Sequence, residues 1–248
     1  MNKLLLIFLL LLLSSTIGVS QQSPDTTFVL KIAKPTYTNN DEPVICIDSA
    51  HNNLHRLNSG FAPFARLMKA NGFKLRDINQ LIFDRELLTD CDIYAIINPL
   101  HQSNLGNWSL PTPSAFSEAE IGEIEVWVKE EGRLFLIADH MPFAGAANNL
   151  ANRFGFNFSN GFANLAKAGN QPDYFSSENG RLISHPFLKE ELKSVTSFTG
   201  SAFTYPDEAE VLLKFKDEDV SLEPKIAWQF NNSTKSVNLD NYAQGALL

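Results

Sequence analysis

The sequence predicts an α/β domain: an open, doubly wound, mostly parallel sheet with helices on both faces, in three layers. Three observations carry that expectation. Val44–Ile47, Ile93–Ile97 and Leu134–Ala138 are short, nearly unbroken apolar runs, the pattern of strands buried on both faces. Segments with helical apolar spacing alternate with them, as βαβ units require. Each run gives way at once to polar residues, as strands do where they leave a covered sheet.

The elements follow in order. Val44-Ile45-Cys46-Ile47 is a strand between Pro43 and Asp48. Phe61 to Ala70 repeats apolar residues at Phe61, Phe64, Ala65 and Met68, and Asn71-Gly72 supplies a helix C-cap. Phe73–Leu75 reads as a second strand and Ile93–Ile97 as a third. Ser117-Glu118-Ala119-Glu120 is a capping box, a hydroxyl followed three residues on by a carboxylate. It opens a helix with Ile121, Ile124, Trp127 and Val128 on one face, closed at Gly132. Leu134–Ala138 is a fourth strand, and Ala144 to Phe154 a helix ending at Gly155. The order fits an open sheet of flavodoxin-like kind. Beyond Gly155 the pattern is less regular, with strands expected at Val195–Phe198, Val211–Phe215 and Ile226–Phe230. Pro99–Phe116, with Trp108, and Asn157–Gly180, with Tyr174 and Phe175, read as long loops, a length that suits lids or binding loops.

The amino terminus reads as an address. Lys3 precedes ten apolar residues, Leu4–Leu13, and a small polar stretch with Gly18 and Ser20. That is the tripartite form of a secretory signal peptide, and the run is half the roughly twenty residues a bilayer needs. Residues 1–20 are thus expected to be a signal peptide, 21–42 a polar leader with one edge strand at Phe28–Ala33, and 43–248 a single α/β domain. An exported chain, periplasmic or secreted and free of the membrane after cleavage, places Cys46 and Cys91 in an oxidising compartment. Each sits in or beside an apolar run and reads as a small buried side chain; their pairing is not fixed by sequence.

Net charge is −8, which argues against a nucleic-acid partner, since phosphate binding needs clustered Lys and Arg. G-x-S-x-G, G-x-x-x-x-G-K-[ST] and G-x-G-x-x-G are absent, so the common serine-hydrolase, nucleotide and dinucleotide signatures do not apply.

Four of the five histidines fall near strand carboxyl ends, where open α/β sheets bind ligands. Asp48 through His55 follows the first run, Asn98-Pro99-Leu100-His101 the third, and Asp139-His140 the fourth. Asp48, His51, Asp139 and His140 are the candidate catalytic residues, with an aspartate orienting a histidine that acts as general base. Asn52, Asn98, His101 and Trp108 are candidate ligand contacts. His51, His55 and His140 are candidate metal ligands; imidazole and carboxylate suit a divalent metal such as zinc, which would activate a bound water. His51 and His55 have the four-residue spacing of zinc proteases but lack the intervening Glu base. For each aspartate the plain alternative is a turn or helix cap. Ser201 and His185 read as structural.

Asp48-Ser49-Ala50-His51-Asn52-Asn53, Asn98-Pro99-Leu100, Ser114-Ala115-Phe116, Asn160-Gly161-Phe162-Ala163, Phe198 to Phe203, and above all Leu136-Ile137-Ala138-Asp139-His140-Met141-Pro142-Phe143 resemble an uncharacterised exported bacterial family. That family belongs to the class I glutamine amidotransferase-like superfamily, of flavodoxin-like fold. The resemblance spans Pro43 to Phe203 and implies chiefly the fold. Amidotransferases place a nucleophilic Cys at the turn after a central strand; here Asp139 and His140 occupy that turn, so cysteine-dependent glutamine hydrolysis is not implied. It also implies a C-terminal part that stops short of its relatives. Two functions follow as expectations: a hydrolase-like enzyme with an Asp/His or metal site at the strand tips, or a non-catalytic envelope module binding a small molecule, glycan or envelope protein.

Overall fold

The computed structural model describes residues 24–25, 27, 32–38, 41–166 and 171–248. The expected signal peptide lies outside the described residues, and so does most of the Phe28–Ala33 strand. No helix among the described residues is long and apolar enough to cross a membrane.

The amino-terminal half is a four-stranded parallel sheet in the order β2-β1-β3-β4, from β1 (Val44–Asp48), β2 (Lys74–Ile78), β3 (Ile93–Ile97) and β4 (Arg133–Ile137). Side-chain alternation divides its core in two. Ile45, Ile47, Ala95 and Ile97 face helix α1 (Ala62–Ala70) through Phe61 and Met68. Cys46, Tyr94 and Ile96 face the other way, onto Ile121, Ile124 and Trp127 of α2 (Glu118–Lys129) and Leu150 of α3 (Phe143–Arg153). The Ser117–Glu120 capping box forms in full. Gly72, at φ +93°, closes α1 in the left-handed conformation that a Cβ would strain.

Cys46 and Cys91 form a disulfide, Cα atoms 5.7 Å apart, rather than standing as separate apolar side chains. Cys91 lies two residues before β3, and β3 runs beside β1, so the turn entering β3 carries Cys91 close to Cys46.

The second half overturns the expected mostly parallel, three-layer flavodoxin-like sheet. Among the described residues there are thirteen strands and three α-helices, and the nine strands after α3 pair antiparallel. They are β5 (Asn157–Phe158), β6 (Phe162–Asn164), β7 (Asp173–Ser176), β8 (Ser194–Ser197), β9 (Phe203–Thr204), β10 (Glu210–Lys214), β11 (Val220–Glu223), β12 (Lys235–Asn238) and β13 (Ala243–Leu247). They form sheets β10-β13-β9-β5 and β12-β11-β6 and a ribbon β7-β8. Phe175, Phe215, Leu165, Ala202 and Leu239 make a separate core there. Among the described residues no crossover helix joins these strands, which favours antiparallel pairing.

Two local expectations also fail. Asn157–Gly180 is not a single long loop, because β5, β6 and β7 lie within it. Ile226–Phe230 is not a strand: Ile226 makes one isolated bridge to Ser109, and Trp228 has φ +66°, incompatible with extended pairing.

The antiparallel half is tied to the carboxyl end of β4. Ser201 Oγ donates to the Ala138 carbonyl (2.7 Å) and the Met141 N–H to the Gly161 carbonyl (3.1 Å). The antiparallel half therefore packs directly beside the strand tips.

Candidate functional site

Asp48 ends β1 and is fully buried. Its carboxylate accepts from Tyr94 Oη (3.0 Å), from the Ala50 N–H (3.2 Å) and from His51 Nδ1, which lies 3.0 and 2.9 Å from its two oxygens. His51 Nε2 lies 3.0 Å from Glu120 Oε1, and the ring packs on Phe116 at 4.2 Å. Glu120 turns its other oxygen to the Ser117 N–H (3.0 Å) and hydroxyl (2.8 Å). One imidazole thus lies between two buried carboxylates. Burial works against its charge, but the hydrogen bonds and charges of Asp48 and Glu120 win, raising the His51 pKa to about 9. Burial likewise opposes the Glu120 charge, and His51 and Ser117 overcome it, lowering Glu120 to about 2. His51 is therefore an imidazolium with both ring nitrogens engaged. In that state it has no lone pair for a metal or for abstracting a proton.

His140 is held differently. Its Nδ1–H donates to the Met141 carbonyl (2.5 Å), which fixes the tautomer and leaves Nε2 as an acceptor. Aromatic rings surround it: Phe162 stacked at 4.3 Å, Trp228 at 4.7 Å, Phe143 at 5.9 Å and Trp108 at 6.0 Å. Nε2 has Asp139 Oδ2 at 3.9 Å, beyond hydrogen-bond range. Among the described residues the only fully buried side-chain polar atom without a partner is Asn104 Oδ1, so His140 Nε2 is not fully buried, although the residue as a whole is 5% exposed. Asp139 Oδ1 accepts the His140 N–H (2.8 Å) and faces the Thr199 hydroxyl (3.4 Å), leaving Oδ2 free.

The remaining candidates divide. Asn98, buried, receives the Asp139 N–H on Oδ1 (2.8 Å) and so positions that aspartate. Asn52 donates to the Leu100 carbonyl (3.2 Å) and lines a groove of about 780 Å³ with Asn53, Leu54, Arg56, Leu100, Leu105, Trp108 and Phe143. Trp108 lines the groove and touches His140, joining the two. His101 caps a short 3₁₀ turn, accepting from the Ser103 N–H (3.1 Å), and belongs to the loop. His55 is half-buried; burial keeps its pKa below the ordinary value against the opposing pull of Asp139.

The four candidate catalytic residues are thus two separate pairs. Asp48–His51 is an internal ion cluster, whereas Asp139–His140 is a pair with a buried imidazole and a partly exposed carboxylate, each keeping one acceptor atom without a hydrogen bond. The metal set His51, His55 and His140 is not assembled, because the His51 nitrogens are committed to carboxylates; no group of three or more His, Cys, Asp or Glu among the described residues is placed to hold an ion. Ser201, expected to be structural, commits its hydroxyl to the Ala138 carbonyl. Glu120, Tyr94, Phe162, Arg56 and Trp228 are the residues sequence reasoning missed. Glu120 was legible only as a helix cap, and its second partner lies 69 residues away. Phe162 lay in one of the resembling motifs; no sequence signal marks the other three.

No protein-family model and no curated protein matches the chain. Among solved structures, the one described as mmIFT52 N-terminal domain is similar at 11% identity, with a TM-score of 0.55 over 68% of this chain and 76% of that one. At that identity the likeness is one of fold. A ThuA-like protein from Bacteroides uniformis ATCC 8492 aligns at 16% identity, covering 87% of this chain and 78% of that one, with a TM-score of 0.44.

Proposed function

We propose that the chain is an exported ligand-binding module whose working surface is the groove at the carboxyl ends of the parallel strands. The observation that carries this reading is the division of the polar residues. Asp48 and His51 satisfy each other and Glu120 in the interior, while an aromatic and amide-lined groove with Trp108 in its wall stays open beside them. Ligand sites in open α/β sheets lie at this edge, where strand order reverses, here between β1 and β3. Export is supported by the disulfide, which persists in oxidising compartments, and by the tripartite amino terminus. Kinship with the glutamine amidotransferase-like superfamily is part of the proposal, as kinship without the cysteine chemistry: both cysteines are consumed in one disulfide.

One observation favours a second reading. His140 has a fixed tautomer whose Nε2 keeps its lone pair without a hydrogen bond, the acceptor that a general base in a hydrolase needs. A single experiment separates the two. Quenching of tryptophan fluorescence is followed with a library of small molecules and soluble glycans, for the parent chain and for Leu105→Glu, which places a charge in the groove at an exposed position. The binding module predicts saturable quenching lost in Leu105→Glu and recovery of the ligand intact. Recovery of a cleaved product, abolished in His140→Phe, would select the hydrolase. Quenching unchanged by Leu105→Glu would remove the groove from the account.

A further inference from the structure

We propose that Asp139, His140 and Trp228 form a subsite for a neutral, hydroxyl-bearing ring: a pair of neighbouring hydroxyls of a glycan donates to His140 Nε2 and Asp139 Oδ2 while the ring lies against the Trp228 indole. This rests on the groove reading and names the ligand class for the surface beside that groove, which Trp108 joins to it. The two acceptor atoms are 3.9 Å apart and neither has a hydrogen-bond partner, although His140 as a whole is 5% exposed. Two adjacent acceptors call for a guest that presents two adjacent donors. Both side chains are held on their other atom: the Met141 carbonyl holds His140 Nδ1, and the His140 N–H holds Asp139 Oδ1 (2.8 Å).

Trp228 supplies the second observation. It is 47% exposed, its ring centroid is 4.7 Å from His140 and 4.6 Å from Phe162, and its backbone sits at φ +66°. A bulky non-glycine residue in that region is strained, and strain that the surroundings sustain marks functional positions. The backbone thereby keeps an indole against the mouth of the acceptor pair.

The charge of the surroundings selects among donors. An amine or guanidinium would also satisfy two acceptors and an aromatic face. Arg56 lines the neighbouring groove, and among the described residues its guanidinium makes one hydrogen bond, from Nε to the Asn53 carbonyl (3.3 Å). The remaining guanidinium donors of that groove call for acceptors, which hydroxyls supply as readily as they donate and a protonated amine does not.

The test uses the intact disulfide-bonded chain and isothermal titration with hexasaccharides of glucose, xylose, mannose and N-acetylglucosamine, with agmatine as the cationic control. The expected result is saturable binding of at least one hexasaccharide, none of agmatine, and about a tenfold or greater loss of affinity in Asp139→Asn and in Trp228→Ala. Thermal melts of both variants within a few degrees of the parent keep the loss from being one of folding. Binding of no hexasaccharide, binding of agmatine, or a hexasaccharide affinity unchanged in both variants would overturn the subsite. Loss of binding in Leu105→Glu alone would sink the subsite and leave the groove standing. Loss in Asp139→Asn and Trp228→Ala with Leu105→Glu unaffected would do the reverse.

Discussion

Replacing His51 by Gln tests the cluster that separates interior from working surface. An imidazole that titrates at 6.5 when unfolded and at about 9 when folded favours the folded state by about 3 kcal/mol at pH 6. Because the folded value is the higher one, that contribution is complete below pH 6.5 and fades as pH rises through 9. It falls to about 2 kcal/mol at pH 7.5 and to nearly nothing by pH 10. Glu120 sets the acid side with the opposite sign: its folded value of about 2 lies below the ordinary 4.5, so its contribution is complete above pH 4.5 and fades as pH falls towards 2. The two shifts report the same contact from its two ends and are not summed. The cluster therefore stabilises fully between about pH 4.5 and 6.5. In His51→Gln one neutral amide faces Asp48 and Glu120, both essentially inaccessible to water, and at least one carboxylate loses its charge partner. Breaking a buried pair in this way costs about 3–5 kcal/mol. Urea unfolding from pH 4.5 to 10 should show the parent losing stability above pH 6.5 and the variant, weaker throughout, nearly flat over that range. Parallel curves, or an NMR titration placing the His51 imidazole near 6.5, would refute the reasoning.

Four other perturbations follow from the same structure. Opening the Cys46–Cys91 disulfide as the double Ala variant releases a loop of 45 residues; by the chain-entropy model the loss is about 4 kcal/mol, a fall of roughly 8–16 °C in Tm by calorimetry, and a fall below 2 °C would speak against it. Tyr94→Phe removes one donor from the Asp48 carboxylate and should cost about 1.5–3 kcal/mol in urea, with wild-type stability as the contrary result. Asp219→Asn leaves the Arg181 guanidinium, 5% exposed, without its buried carboxylate and should cost about 3–5 kcal/mol; a loss below 1 kcal/mol would mean that the pair is solvated. Gly145→Ala drives a Cβ to 2.1 Å from Thr112 Oγ1 and 2.8 Å from Asn160 in a helix where Ala is otherwise favoured, so melting should show destabilisation of about 1–3 kcal/mol instead of a gain.

What was legible in the sequence followed burial. Val44–Ile47 and Ile93–Ile97 are buried on both faces of a parallel sheet, so their apolar runs are continuous and their bounds could be read within a residue. The Ser117–Glu120 box and Asn71-Gly72 were legible because a cap is a local contact, complete within four residues. The antiparallel half follows the opposite rule. Strands such as β5 and β9 have two residues each, too few for any period, and β13 inserts between β10 and β9, a placement set by contacts far apart in the chain. The extrapolation of a parallel rhythm past Gly155 failed because nothing in those short segments encodes the partner.

The strand tips show where the same limit falls within a site. That Asp48, Asn98 and Asp139 share one edge follows from strand direction alone, and the sequence sufficed for it. Their chemistry does not follow from shared placement. Asp48 reaches His51 three residues away, but Glu120, 69 residues away and recognisable only as a cap, takes the second nitrogen and turns a candidate base into a fixed cation. His140 escapes that outcome because its own turn brings the Met141 carbonyl onto Nδ1 and because its other neighbours are rings, which shield the imidazole without competing for Nε2. Two histidines, each following an aspartate-bearing strand end, thus reach opposite states. One has both nitrogens spent on carboxylates, and the other keeps one nitrogen open. The difference lies in whether a distant carboxylate or a distant aromatic ring arrives, so the working residue of such an edge is found by counting what each ring nitrogen already bonds.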